Sequence, residues 1–153
     1  DLIMKLKALN IFDELIYLLN EKNHLYLGIC VGMQILSSYG LENQKVQGLN
    51  LIDGCVEKIP VKNCVIPNIG WHNLNLEKQD SQLFKGIDDD KMFFYFLHSY
   101  HFNLSDQKYC SSSIHYETKL ISSVENDNIF GVQFHPEKSQ ISGLKILKNF
   151  CNL

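Results

Sequence analysis

Leu25 to Ile29 is an apolar run that leads into Gly28-Ile29-Cys30-Val31-Gly32, and no other stretch limits the fold so tightly. A buried strand stopping at Gly-x-Cys-x-Gly, with helix-like residues Val31 to Tyr39 behind it, is the layout of a nucleophile elbow with Cys in place of Ser. So sharp a turn strains the nucleophile's backbone, and the flanking glycines remove Cβ atoms from a crowded place. A helix that starts at the sulfur turns its positive end there and favours thiolate over thiol. The competing reading is a structural cysteine packed in the core, the usual fate of a free thiol.

A second stretch bears on that choice. Asn128 to Phe134 is rich in β-branched and aromatic residues and reads as a strand, and it runs into His135-Pro136-Glu137. Pro136 holds His135 extended, and residues two apart on extended chain face the same side. An imidazole and a carboxylate are thus presented together. With a Cys nucleophile they complete a constellation for acyl transfer.

The elements around these motifs describe an α/β chain. Leu2, Leu6, Leu9, Phe12, Leu15 and Leu19 recur at helical spacing, so one amphipathic helix is expected from a cap at Asp1 to a stop at Asn23. The elbow strand and the helix 31–39, closed by Gly40, follow. Strands are expected at 55–59, 64–66, 91–97, 109–115, 120–125 and 129–134, with a tight turn over 125–128. A last helix spans 141–150, with Leu144, Leu147 and Phe150 on one face. Helix-strand-elbow-helix order implies a mostly parallel sheet flanked by helices, in a single domain over residues 1–153. Only one helix precedes the elbow, and the chain starts at Asp1 rather than Met, so the N-terminal βαβ portion of such a fold is expected to be missing.

Composition excludes several classes. All 14 basic residues are lysines and the net charge is −3, so the bidentate Arg forks and basic patches of nucleic-acid binders are lacking. No apolar run reaches the length of a membrane span. Five scattered cysteines, at 30, 55, 64, 110 and 151, suit reduced thiols in a cytosolic protein better than a disulfide framework. A zinc site from Cys55, Cys64 and His72 lacks any Cys-x-x-Cys pair, so no metal is expected.

Leu27-Gly28-Ile29-Cys30-Val31-Gly32-Met33-Gln34 with His135-Pro136-Glu137 resembles the class I glutamine amidotransferases, which have a flavodoxin-like fold. Ile66-Pro67-Asn68-Ile69-Gly70-Trp71, Tyr95-Phe96-Leu97-His98-Ser99-Tyr100 and Lys138-Ser139-Gln140 are similar to the glutaminase subunits of imidazole glycerol phosphate synthase. The resemblance implies that Cys30 attacks the glutamine side-chain amide to form a γ-glutamyl thioester. His135 then moves the protons, Glu137 orients His135, and the Val31 N–H serves as an oxyanion donor. It implies that Gln34, Glu42, Ser99 and Tyr100 hold glutamine. It implies no cofactor, and a (β/α)8-barrel cyclase partner, which receives the ammonia and makes imidazole glycerol phosphate and an aminoimidazole carboxamide ribotide. Asn68, Trp71, Tyr95 and Lys138 match positions at that interface. Trp71, just after Gly70, is expected in a loop.

Two departures stand out. The family usually has His at Asn68, and its upstream Pro-Gly-rich loop, which completes the oxyanion site, would lie before Asp1. This chain by itself is therefore expected to be weakly active or inactive as a glutaminase. Alternatives are a paralogue supplying ammonia for sugar amidation in surface-glycan synthesis, a free-standing cysteine hydrolase such as a γ-glutamyl hydrolase, and an inactive copy that only binds the barrel. His24, His72, His101 and His115 have no partner legible in the sequence, and His98 reads as packing or support.

Overall fold

The computed structural model describes residues 2–21 and 24–153; Asp1 and Asn23, expected to cap and to end the first helix, lie outside the described residues. The leading leucines form two helices instead of one, α1 (Leu2–Ala8) and α2 (Phe12–Asn20). Asn10 breaks them, with φ of 56° in the left-handed region. The Ile11 N–H then bonds back to the Leu6 carbonyl at 2.9 Å. Asn takes this helix-ending conformation more readily than other side chains, whereas the apolar spacing continues across the break and conceals it.

Next come β1 (Tyr26–Ile29) and α3 (Val31–Gln34). The helix expected over 31–39 lasts one turn. The Leu51 and Ile52 N–H groups take the Leu36 carbonyl at 3.0 Å, and Leu49 takes that of Ile35 at 2.7 Å. With those carbonyls engaged by residues 49–52, Tyr39 and Gly40 leave the helix and form β2 (Tyr39–Gly40). Then follow β3 (Val46–Gln47), β4 (Gly54–Lys58), β5 (Asn68–Asn73) and β6 (Asn75–Leu76). The segment 64–66 is not a strand, because extended pairing begins only past Pro67. The chain continues as β7 (Phe93–His98), β8 (Tyr100–Leu104), β9 (Cys110–Tyr116), β10 (Thr118–Asn126) and β11 (Ile129–Val132), and closes with α4 (Gln140–Cys151).

The α/β class holds, but the strand directions differ from the mostly parallel expectation. One sheet runs β1-β11-β10-β9-β6, and in it β1 and β11 alone are parallel. A second runs β3-β2-β4-β8, with β2 and β4 parallel, and β5 pairs with β7 antiparallel. Turn length is the reason. Glu117 alone separates β9 from β10, and Asp127 and Asn128 separate β10 from β11, far too little chain for a parallel crossover. Glu117 and Asp127 take positive φ, 61° and 50°, to close these hairpins.

Alternate residues of β10 and β11 supply two cores. Ile121 and Ile129 join Ile3, Leu19, Met33 and Phe102 in one; Leu120 and Phe130 join Phe94, Phe96, Phe134 and Ile146 in the other. The tightest ring contact is Phe94 with Phe134, centroids 4.3 Å apart. Helix α4 rests on the second core through Gly143 and Ile146, whereas Leu144, expected on one face with Leu147 and Phe150, is exposed. A Cβ on Gly143 would overlap the Pro136 carbonyl, so this glycine lets α4 sit directly on the His-Pro-Glu turn.

Candidate active site

The elbow forms as its glycines suggest, with one exception. Cys30 joins β1 to α3 with φ of 51° and ψ of −106°, a strained conformation for a side-chain-bearing residue. A Cβ on Gly28 would overlap the Gly32 carbonyl, so Gly28 is sterically required. Gly32 is not, since its nearest neighbour to an added Cβ would be the Tyr26 hydroxyl at 3.5 Å.

Because β1 lies parallel to β11 in register Ile29 with Val132, both strands end at the same edge of the sheet. The Cys30 N–H donates to the Val132 carbonyl at 2.8 Å, tying Cys30 to the strand that leads to His135. The chain bends after Val132 and reaches His135 in extended conformation, as Pro136 demands. His135 Nδ1 meets Glu137 Oε1 at 2.7 Å. Backbone bonds stitch this turn to β7: His135 N–H donates to the Tyr95 carbonyl at 2.9 Å. The buried Ser139 hydroxyl donates to the His135 carbonyl at 2.7 Å and accepts from the Tyr95 N–H at 3.0 Å. With Nδ1 committed to Glu137, Nε2 is the ring nitrogen that remains, buried and without a hydrogen-bond partner among the described residues.

The sulfur sits in a defined shell. The Cys30 thiol donates to the Leu97 carbonyl at 3.9 Å and accepts from the Gln133 side-chain amide at 3.5 Å. Burial pushes the thiol above its ordinary pKa; the Val31 N–H pulls it down, the Glu137 carboxylate adds to the rise, and Gln133 and Lys138 oppose it. The expected thiolate preference from a helix end is thus outweighed in the free chain. Helix α3 has only four residues, so little helix dipole opposes the burial.

Val31, Gln34 and Glu42 line one cavity of about 220 Å³ beside the elbow, together with Leu2 and Ile3 of α1 and Val46. Gln34 donates from Nε2 to the Tyr100 carbonyl at 3.0 Å and to Gln133 Oε1 at 2.9 Å. Tyr100 is therefore brought to the site through its backbone. Ser99 lies half-buried at the bend between β7 and β8.

Three of the four expected partner-facing residues converge. Trp71 is in strand β5, not a loop, stacked on Phe93 at 5.6 Å and edge-on to Tyr95 at 5.9 Å. Lys138 Nζ lies over the Tyr95 ring at 5.7 Å. Exposed Ile69 and Leu97 extend this apolar face, and sequence reading missed both, although they alternate with inward residues at strand period. Asn68 does not join them. It is fully buried on the opposite side, bonded to His98 Nε2 at 3.0 Å and His72 Nε2 at 2.7 Å. Among the described residues no helix is long and apolar enough to cross a membrane.

Residues 8–152 match the glutamine amidotransferase class-I family. Imidazole glycerol phosphate synthase subunit HisH of Pelagibacter ubique is 43% identical over 152 residues, covering 95% of this chain and 72% of the relative. The subunit of the same name from Methanosarcina acetivorans is 44% identical over 129 residues, 83% of this chain and 62% of its own length. A crystal structure of a glutamine amidotransferase superposes with a TM-score of 0.65 at 16% identity, over 95% of this chain and 71% of that one, a likeness of fold.

Proposed function

The chain belongs to the class-I glutamine amidotransferase family, and we propose that it is the glutamine-hydrolysing subunit of an imidazole glycerol phosphate synthase, working in histidine biosynthesis in the cytoplasm. One observation carries the reading: parallel β1 and β11 bring a strained Cys30 and a Glu137-bound His135 to one edge of the sheet. The relatives named as subunits of this synthase supply the assignment of the acceptor.

In this reading His135 Nε2 takes the thiol proton as Cys30 attacks the carboxamide carbon of glutamine. The negative oxygen of the tetrahedral intermediate faces the Val31 N–H. Its collapse passes the proton from His135 to the departing ammonia and leaves a γ-glutamyl thioester on Cys30. Water, deprotonated by His135, then cleaves the thioester and releases glutamate. Glutamine is held in the cavity between Gln34 and Glu42, where the Glu42 carboxylate pairs with the substrate ammonium, while Ser99 and Tyr100 close the other side. Ammonia passes to a (β/α)8-barrel cyclase docked on the face of Trp71, Tyr95 and Lys138. Asn68, enclosed behind that face, supports it from within.

Glutamate release from glutamine, measured on this chain with and without such a cyclase, tests the reading. Partner-stimulated release that disappears in Cys30→Ala is expected. Equal release by Cys30→Ala, or no release in either setting, refutes it.

A further inference from the structure

We propose that Gln133 is a positioning residue for the nucleophile, whose side-chain amide donates to the Cys30 sulfur and favours its thiolate form. This rests on the reading of Cys30 as the nucleophile and adds a residue to its machinery.

Gln133 is fully buried just past the end of β11, its backbone N–H held by the Ser122 carbonyl at 2.8 Å. A primary amide can turn either its oxygen or its nitrogen toward a neighbour, and here the surroundings decide which. The Tyr100 carbonyl can only accept. It takes one hydrogen from His98 Nδ1 at 2.8 Å and another from Gln34 Nε2 at 3.0 Å. Gln34 must therefore turn its nitrogen inward, and its second hydrogen needs an acceptor. Gln133 Oε1 provides that acceptor at 2.9 Å. With its oxygen committed, Gln133 can present only Nε2 to the sulfur, at 3.5 Å.

A donor at that position discriminates between protonation states. A thiolate accepts a hydrogen bond far better than a thiol does, so the contact strengthens when the proton leaves. It acts against burial, the main force holding the thiol protonated. A merely space-filling Gln133 would leave thiol ionisation unaffected when replaced by a side chain of equal size.

The test is the pH profile of iodoacetamide alkylation, read separately at each cysteine by peptide mass spectrometry, because only thiolate reacts. Gln133→Met keeps the volume and removes the donor; Gln133→Glu keeps the acceptor for Gln34 and turns a carboxylate toward the sulfur. At neutral pH we expect Cys30 in Gln133→Met to react about three- to tenfold more slowly, the range of a weakened hydrogen bond to a charged group. Gln133→Glu should be slower still, and the Cys30 midpoint should move to higher pH in both. Exposed Cys64 and Cys151 should be unchanged, and continued protection of buried Cys110 reports that the variant is folded. A Cys30 profile superimposable on that of the unaltered chain overturns the proposal. If both variants unfold, the side-chain amide resonances of Gln133 in the unaltered chain decide. They should titrate with the Cys30 midpoint, and their failure to do so overturns the proposal equally. Alkylation needs no glutamine turnover. A chain that shows the Gln133 effect but releases no glutamate would keep this inference and sink the proposed function.

Discussion

Acidification from pH 7.5 to pH 5 is expected to remove about 2 kcal/mol of folding stability through one residue, His98. Its ring closes β7 and is 6% exposed. The neutral form is fully satisfied there: Nδ1–H donates to the Tyr100 carbonyl at 2.8 Å, and Nε2 accepts from the Asn68 amide at 3.0 Å. Protonation would set a second N–H against the Asn68 donor. Burial is the main cause that lowers the His98 pKa to about 4; the Tyr100 carbonyl pulls the other way, and His101, His72 and His135 nearby add to the lowering. The ordinary value of 6.5 applies once the chain unfolds. Between those two values the unfolded chain binds more protons. The stability is therefore fully present above pH 6.5 and is lost as pH falls toward 4. The whole difference is about 3 kcal/mol, of which about two thirds is gone by pH 5. Urea unfolding at pH 7.5, 6 and 5 measures it, with His98→Gln as the reference that cannot titrate. Both proteins share the other histidines and the carboxylates, so the stability difference between them isolates His98. That difference should shift by about 2 kcal/mol in favour of the variant at pH 5, in midpoint with little change in slope. A difference that is flat with pH would refute the account of a neutral, enclosed His98.

Three further outcomes follow from the geometry. Gly28→Ala should cost about 3 kcal/mol, since the added Cβ meets the Gly32 backbone and not a flexible side chain, whereas Gly32→Ala should lie within about 0.5 kcal/mol of the parent; chemical denaturation of the pair checks both. His101 is buried and, among the described residues, neither ring nitrogen has a hydrogen bond of good geometry, its approaches being to the Phe102 backbone and to Glu57 at 3.7 Å, so His101→Phe should stabilise the fold by about 1 kcal/mol in the same assay. Glu137→Gln should lower kcat for glutamine roughly 10²-fold or more with little change in KM, because it releases His135 from its orienting carboxylate; steady-state kinetics with the partner present would show it.

The local geometry of the candidate site was legible in the sequence where it depends on neighbouring residues. Gly-x-Cys-x-Gly and His-Pro-Glu each constrain their own few residues, and the strained Cys30 and the bonded His135–Glu137 pair appear where those motifs place them. What was not legible depends on pairing between distant segments. Apolar spacing runs straight through Asn10, so the helix break there shows only in the backbone angle. The length of α3 is decided by residues 49–52, which consume its carbonyls, and nothing within 31–39 announces them. Strand direction followed the lengths of two hairpin turns more than the α/β order of elements. The clearest case is the β5–β7 ribbon, whose register pairs Ile69 with Leu97 and Trp71 with Tyr95 on the outer face, and Asn68 with His98 on the inner. Read alone, Asn68 and Trp71 are neighbours on one candidate interface. Read in register, they are three positions apart, an odd step, so one must be enclosed if the other faces outward. The orientation of Gln133 lies further still from any local pattern. It is set by Gln34, which is constrained by Tyr100, whose carbonyl also holds His98. Four segments must meet before a single amide nitrogen is pointed at Cys30.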